Sequence, residues 1–430
     1  NAYSNLGSAL MDLGKLDAAV KCYNQALKFK PDYAEAHSNL GNVLQELNQL
    51  DSAVKCYEQA LKIRPNFADA HYNLGIAFKN LNKPNCAIKC YNRALEIKPD
   101  YPEALCNLGL ALQELGQLDA AVKCHEQALK IKPDYVNAYN NLGNALKEQH
   151  QLDVAILNYK QALALQSDFA DAHYNLGNAL KEFGKLDEAV KCYKRVLKIN
   201  PENHSAQHIL NSLLGQNAQS APREYVEELF NNYAKNFEKN VVKNLKYKTP
   251  SLLRKTFLNT GVENKIIPKA LDLGCGTGLC GIEFRDLTEI LIGIDLSSQM
   301  ISKAKQKNIY DELYVNDLTN GIERLKTKFD LFIASDVFVY VGDLRPLFKT
   351  VKNHANENAW FIFSTEDSDA DCFYLQKTGR FSHSKNYIIQ LAFEHGFQLE
   401  HFERSNLRKD KGKWIIGGIY LLRCINNDST

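Results

Sequence analysis

A period of 34 residues runs through the first half of the chain and limits its fold more than any other feature. Prolines recur at Pro31, Pro65, Pro99, Pro133 and Pro201, with Ser167 in the remaining slot. Gly7, Gly41, Gly75, Gly109, Gly143 and Gly177 repeat in step, each preceded by leucine. Small residues follow at Ala19, Ala53, Ala87, Ala121, Ala155 and Ala189, then a ring at Tyr23, Tyr57, Tyr91, His125, Tyr159 and Tyr193. Each unit reads as two antiparallel helices. The glycine and first alanine let them approach, and the ring fills the space beyond. Gly14, Asn48, Asn82, Gly116, His150 and Gly184 mark the turn between them, where glycine and asparagine tolerate left-handed backbone. Asp17, Asp51, Asn85, Asp119, Asp153 and Asp187 are expected to cap the second helix, and the proline stops it.

This pattern resembles the tetratricopeptide repeat, with six units over residues 1–203. SAQHILNSLLG (205–215) looks like a further first helix and is expected to cap the array, since a solenoid end must cover its apolar face. Just before each Leu-Gly stands Asn5, Asn39, Asn73, Asn107, Asn141 or Asn175. These are expected on the concave groove, where an amide can pair with both polar groups of a peptide unit. The units are also similar to those of the O-linked N-acetylglucosamine transferase, and that resemblance implies substrate backbone held by an asparagine ladder. Asparagine is common at this position throughout the repeat family, so pairing within the groove is the alternative.

Eleven cysteines suggest disulfides at first sight. However, Cys22, Cys56, Cys90, Cys124 and Cys192 share one phase of the repeat, so equivalent members lie a repeat-width apart, beyond the ~7 Å limit for bridging. Small, buried, helix-facing roles in a reducing, cytoplasmic compartment follow. No CxxC pair or histidine cluster suggests a metal. A net charge of +2 gives no general reason to expect nucleic acid or an anionic membrane. No apolar run reaches the ~20 residues of a spanning helix. The chain opens at Asn1, in mid-motif, and reads as a fragment or processed product.

GQNAQSAP (215–222) reads as a linker, so residues 204–221 are taken as capping helix and linker and 222–430 as a second domain. A helix is expected over 223–245. From 269 short apolar runs alternate with polar helices: KALDLG, ILIGID, ELYVND, DLFIASD and AWFIFS. That alternation implies a doubly wound, mostly parallel sheet. At the end of the first run stands LDLGCGTGLCG (271–281). It lacks the Gly-Lys-Ser/Thr of a phosphate loop. Leu279 occupies the place where a dinucleotide fingerprint needs glycine. What remains is Asp272-x-Gly274-x-Gly276-x-Gly278, glycines that let backbone approach a ligand at the switch point of a sheet. Asp295 ends the second run, placed for two ribose hydroxyls, and Asp317 ends the third, where an adenine amino group would meet it.

This constellation resembles the class I S-adenosylmethionine-dependent methyltransferases, a Rossmann-like α/β fold with a mostly parallel seven-stranded sheet. The resemblance covers about 222–430. It implies Gly274, Gly276 and Gly278 at the methionine end of the cofactor, Asp295 at the ribose, Asp317 with Leu318 at the adenine, and Asp272, Cys275, Leu296 and Met300 among the other cofactor-binding residues. Ser335 and Asp336 would border the sulfonium and the acceptor. The closing segments GFQLEHFERS and KWIIGGIYLLRC fit the family's antiparallel hairpin. Residues 225–253 and 379–397 are further similar to a group of bacterial methyltransferases with such repeats. In relatives the leading helix lids the cofactor and a tyrosine reaches its carboxylate, which implicates Tyr225 and Tyr233. Plain core packing of that amphipathic helix is the alternative.

Methyl transfer needs mainly proximity and alignment, and a base only for a protonated acceptor. Asp336, Tyr340, His383 and Tyr387 are the acceptor-site candidates, with His383 suited to a base near neutrality. Arg404, Arg408, Lys409, Lys411 and Lys413 form a basic cluster without the aromatic interleaving of a nucleic-acid surface. Three functions are consistent with this reading. The first is a methyltransferase whose repeats recruit a protein or peptide. The others are a small-molecule methyltransferase with repeats for assembly, and a scaffold with a vestigial catalytic domain. The acceptor, its methylated atom, the need for a base and the oligomeric state are left open.

Overall fold

The computed structural model describes residues 2–234, 237–238, 245–259, 266–410 and 412–425. The chain divides into two compact units, Asn1–Pro201 and Glu202–Thr430.

The first unit is six helix pairs: α1 (Ala2–Asp12) with α2 (Leu16–Phe29), α3 (Ala34–Glu46) with α4 (Leu50–Ile63), α5 (Ala68–Asn80) with α6 (Pro84–Ile97), α7 (Pro102–Glu114) with α8 (Leu118–Ile131), α9 (Val136–Glu148) with α10 (Leu152–Leu165), and α11 (Ala170–Phe183) with α12 (Leu186–Ile199). The turn residues take the left-handed conformation, with φ of 68° at Gly14, 57° at Asn48 and 63° at His150. A Cβ on Gly41 would stand 2.6 Å from the Tyr57 ring, and on Gly75 2.5 Å from Tyr91. The glycine therefore makes the space that the ring occupies. The aspartates do not cap. Lys15, Gln49, Gln117, Gln151 and Lys185 hold the cap positions without a side-chain bond, and the aspartates sit within the first helical turn. There they act on the helix dipole.

The ring hydroxyls have their own rule. Tyr57, Tyr159 and Tyr193 each donate to the asparagine that follows the repeat glycine, Asn42, Asn144 and Asn178, at 2.8 Å. Tyr23 meets Ser8 at the same place, at 2.9 Å. Where that residue is Ile76, the Tyr91 hydroxyl is buried without a partner among the described residues, and opposite Leu110 the ring is His125, with both nitrogens buried and likewise unpartnered among them.

The second unit begins with α13 (His204–Leu214) and α14 (Arg223–Tyr233). The helix expected to cap the array thus groups with the second unit. Its His208 bonds the Gly379 carbonyl at 2.8 Å and packs against the Tyr225 ring. The polar stretch expected as a linker is stitched into this unit. The Asn217 amide donates to the Phe373 carbonyl and accepts from the Leu375 N–H, at 2.9 and 2.7 Å. Gln219 O accepts from Gly342 and Asp343, and Ala221 N–H donates to Tyr340 O. Beyond Tyr233, most of the helix expected to reach 245 lies outside the described residues.

After α15 (Thr249–Phe257) come β1 (Ile267–Leu273), α16 (Leu279–Phe284), β2 (Thr288–Asp295), α17 (Ser298–Lys305), β3 (Glu312–Val315), α18 (Leu318–Arg324), β4 (Phe329–Ala334), α19 (Arg345–His354) and β5 (Ala355–Glu366). A short hairpin follows, β6 (Phe373–Leu375) with β7 (Phe381–His383), then α20 (Lys385–Glu394), β8 (Phe397–Asp410) and β9 (Lys413–Cys424). The seven-stranded order is β3-β2-β1-β4-β5-β9-β8. β1 to β5 pair in parallel, while β9 is antiparallel to β5 and to β8. Apolar runs buried on both faces suit such a sheet. One face packs Phe332, Phe361 and Phe363 under α19 and α20, the other Leu331, Ile333 and Ile362 under α15 and α16. Strand order reverses between β1 and β4, which is where a ligand crevice is expected. No helix among the described residues is long and apolar enough to cross a membrane.

Candidate functional site

The three glycines after β1 share left-handed backbone, and two of them are also crowded by neighbouring side chains. Their φ values are 68° at Gly274, 54° at Gly276 and 89° at Gly278. A Cβ on Gly274 would come within 2.5 Å of Val337, and one on Gly278 would press Ile309 and Tyr310 at 3.1 and 3.2 Å. At Gly276 it would meet nothing within 4 Å. The turn is pinned by the Gly274 and Cys275 N–H groups, both donating to Ile294 O.

Asp295 closes the other side of the turn. Its carboxylate accepts from the Gly276 and Ser297 N–H groups, each at 2.8 Å. Burial pushes its pKa up to about 6 against those two hydrogen bonds. Each oxygen keeps lone-pair capacity for a further donor. Asp317 caps α18 through the Asn320 N–H at 2.9 Å and lies 3.8 Å from Arg223. Ser297 caps α17 at the Met300 N–H and donates to Asn231 of α14 at 2.6 Å.

These groups border a cavity of about 760 Å³, the size range of small-ligand sites. Gly274, Gly276, Asp295, Leu296 and Met300 line it at the crevice, and Asp317 and Leu318 beside them. Tyr225 and Tyr233 of α14 line the opposite wall with Phe230, whose ring meets Tyr340 edge-on at 5.2 Å. Ser335, Asp336 and Tyr340 come in from the end of β4.

Five expected residues lie off the cavity. Asp272 is wholly buried beneath the turn, where it takes the Tyr310 hydroxyl at 2.6 Å and burial pushes it up to about 7. It supports the turn from below. Cys275 and Gly278 also do not line the wall. His383 corrects the reading of a base. It is fully buried, and its Nε2 meets the Val341 and Gly342 carbonyls at 2.9 and 3.0 Å. Burial lowers its pKa to about 4. Tyr387 accepts from the Leu344 N–H and donates to Asp343, so it braces the start of α19.

The structure adds residues that spacing did not single out for the site. Arg408 is buried and bridges Asp336 and Glu366. Arg380 lies 3.4 Å from Glu366 and 3.5 Å from Asp410. Tyr247 bonds the Ser335 hydroxyl at 2.7 Å. Arg380, Arg408 and Tyr247 all line the cavity. Asp336 itself has φ of 62° and donates its N–H to Ser364. In the basic cluster Arg404 pairs with Asp367 at 2.7 Å and Lys409 lies over Trp414, while Lys411 falls outside the described residues.

In the repeat unit, the asparagine ladder is tied along the array. Asn73 donates to Asn42, Asn107 to the Tyr72 hydroxyl, Asn141 to Cys106 and Asn175 to Asn140, at 2.8 to 3.3 Å. All four are half-buried, while Asn5 is exposed and Asn39 half-buried. The cysteines are free, and burial pushes Cys124 and Cys192 up to about 11.

Known proteins divide the chain the same way. The TPR repeat family matches residues 7–48, 43–82, 81–116, 112–150 and 143–184, and the tetratricopeptide repeat family matches 170–203. A methyltransferase domain family matches 271–361, from the glycine turn into β5. A ribosomal RNA small subunit methyltransferase C of Haemophilus influenzae (strain PittGG) is 28% identical over 145 residues, 30% of this chain and 42% of its own. A ubiquinone biosynthesis O-methyltransferase of Glaesserella parasuis serovar 5 is 27% identical over 131 residues, 29% of this chain and 56% of its own. This chain therefore spans about half the length of these relatives. Among solved structures, MamA is 27% identical, covering 38% of this chain and 96% of its own, with a TM-score of 0.36. The chain thus carries tetratricopeptide repeats over residues 7–203 and a methyltransferase domain over 271–361.

Proposed function

We propose that the second unit transfers the methyl group of S-adenosylmethionine, and that the repeat unit recruits a protein or peptide acceptor. One observation carries the cofactor reading. Gly276 leaves open space at the turn, facing a cavity bordered by the Asp295 and Asp317 carboxylates at the ends of β2 and β3. The residues fit the cofactor's parts. The glycine turn admits the methionine end, Asp295 has spare lone pairs for ribose hydroxyls, and the Asp317–Leu318 corner suits the adenine. Tyr225 and Tyr233 border the same space from α14. The bound cofactor supplies a methyl on a sulfonium, already a good leaving group. The protein's part is to align the acceptor and exclude water.

The ladder supports recruitment. Each tied amide uses one N–H on the preceding repeat, and no bond to a described residue occupies the Oδ1 of Asn107, Asn141 or Asn175. A carbonyl and a second N–H are left for a peptide backbone. Joining a binding array to a catalytic unit raises the acceptor's effective concentration. The free cysteines suit a reducing, cytoplasmic setting. Labelled methyl transfer from the cofactor into a cell lysate, separated into protein and small-molecule fractions, tests this reading. Label in protein that falls when Asn107 and Asn141 are both changed to alanine supports it, and undiminished label removes the array from substrate capture.

A small-molecule acceptor is the second reading, favoured by a cavity built within the second unit alone and by the relative named for ubiquinone biosynthesis. The fragment 202–430 would then keep full activity, and a large loss would count against it.

A further inference from the structure

We infer that the methyl acceptor presents a carboxylate to Arg380 and leaves as a methyl ester, an inference that rests on the second unit being an S-adenosylmethionine-dependent transferase.

The first ground is the state of the three arginines that line the cavity among the described residues. Arg223 stands at the Asp317 corner, 3.8 Å from that carboxylate. Arg408 already serves two carboxylates, one from each of its terminal nitrogens. Arg380 is held loosely by comparison. Its contacts to Glu366 and Asp410 are 3.4 and 3.5 Å, whereas a charge-assisted N–H to carboxylate bond is ~2.7–2.9 Å. Among the described residues no bond is made by its Nε, and its side chain is 26% exposed on the cavity wall. A guanidinium offers five donors in a planar fork that matches a carboxylate.

The position of Arg380 is also built. It closes a turn in which the Gln376 N–H donates to the Arg380 carbonyl and the Gly379 N–H to Gln376 O, both at 2.8 Å. Gly379 has φ of 86°, and its carbonyl is taken by the buried His208 of α13. The loop is therefore anchored from the helix below it, and the arginine is not a solvated surface side chain.

The second ground is that, among the described residues, most acids and phenols of the wall are already engaged or deeply buried. Asp295 is held by two backbone N–H groups, Asp317 by Asn320, and Asp336 through Oδ2 by Arg408, while Asp336 Oδ1 is buried without a partner among the described residues. Burial raises the phenols of Tyr247 and Tyr340. His383 faces backbone carbonyls away from the cavity. An ammonium or alcohol acceptor needs a base. A carboxylate is already ionised at neutral pH. Its oxygen donates an electron pair to the methyl carbon, and the carbon–sulfur bond breaks with its pair returning to sulfur. Carboxylate and sulfonium become ester and thioether, and no proton moves. Beside the arginine, Phe230, Tyr340 and Val339 give the rest of the acceptor an apolar wall.

Two measurements on the full chain test this. In calorimetry, hexanoate should bind at least tenfold more tightly than hexanamide, its neutral counterpart. Arg380→Gln should abolish the preference and Arg380→Lys should restore part of it, with cofactor affinity unchanged. Equal binding of the two probes, no binding of hexanoate, or a preference that survives Arg380→Gln overturns the inference. In the second, label transferred from the cofactor to a lysate should be released as volatile methanol by mild alkali, as esters are. Its protein and small-molecule fractions separate a side-chain carboxylate from a free acid. Alkali-stable label overturns the carboxylate while leaving the transferase reading intact, and failure of the cofactor to bind overturns that reading itself.

Discussion

The ring positions of the repeats allow one substitution to be made twice with opposite expected signs. Tyr91 and Tyr159 are both fully buried at the same place in their repeats. The Tyr159 hydroxyl donates to Asn144 at 2.8 Å, while the Tyr91 hydroxyl, at the repeat place where Asn144 becomes Ile76, has no partner among the described residues. Tyr159→Phe removes a neutral hydrogen bond whose net value is about 1 kcal/mol, near the low end because half-buried Asn144 can turn to water. Tyr91→Phe removes a hydroxyl buried at a cost of about 1–3 kcal/mol. The first change should destabilise the repeat unit by about 1 kcal/mol, and the second should stabilise it by about the same or more. Thermal unfolding of residues 1–201 followed by circular dichroism reads this directly. For a unit of that size 1 kcal/mol moves Tm by roughly 2–4 °C. Stability in such arrays is close to a sum of local terms, so the two changes should combine additively. Ile76→Asn supplies the missing acceptor, and in its presence Tyr91→Phe should lose its benefit. Equal shifts of the same sign for the two tyrosines would refute the reasoning.

Acid should weaken the repeat unit through His125. Burial lowers its pKa to about 4, below the ~6.5 of an unfolded histidine, so its contribution is full above pH ~6.5 and lost as pH falls towards 4, by roughly 3 kcal/mol. His125→Phe should flatten a plot of urea-unfolding free energy against pH over that window. In the second unit the raised Asp272 and Asp295 work in the opposite sense, stabilising on protonation as pH falls. Cofactor affinity should hold steady above pH 7 and fall below about pH 6 as Asp295 is protonated, up to tenfold per unit. Calorimetry across pH checks this, and a flat profile would remove the ribose contact from Asp295. Arg408→Met should destabilise the second unit by roughly 3–5 kcal/mol at pH 7, because it strands Asp336 and the buried Glu366. Adding Asp336→Asn and Glu366→Gln should recover most of the loss in a denaturant titration.

The fold was more legible than the site. The 34-residue period and the alternation of apolar runs with helices are local signals, and both reappear as helix pairs and a mostly parallel sheet. The aspartates near the second helices looked like caps, yet the chain enters each helix two residues sooner. Composition misread GQNAQSAP, because Asn217 and Gln219 pair with partners more than a hundred residues away, beyond any local pattern. In the site, the glycine turn and Asp295 were readable because a strand-end turn is a local device. Arg408 was seen only as part of a charged hairpin. A register shift between Asn406 and Arg408 interrupts the alternation of β8, and such a bulge re-aims a side chain. His383 looked like a base by type alone. Its burial against two carbonyls depends on the β6–β7 hairpin, which the sequence pattern did not suggest.

The proposed activity depends on the glycine turn and the Asp295 carboxylate holding S-adenosylmethionine. Isothermal titration of the full chain and of Asp295→Ala with that cofactor tests it most directly. The native chain should bind one equivalent, and the folded variant should bind it at least tenfold more weakly. No binding to the native chain, or equal affinity in both, would contradict it.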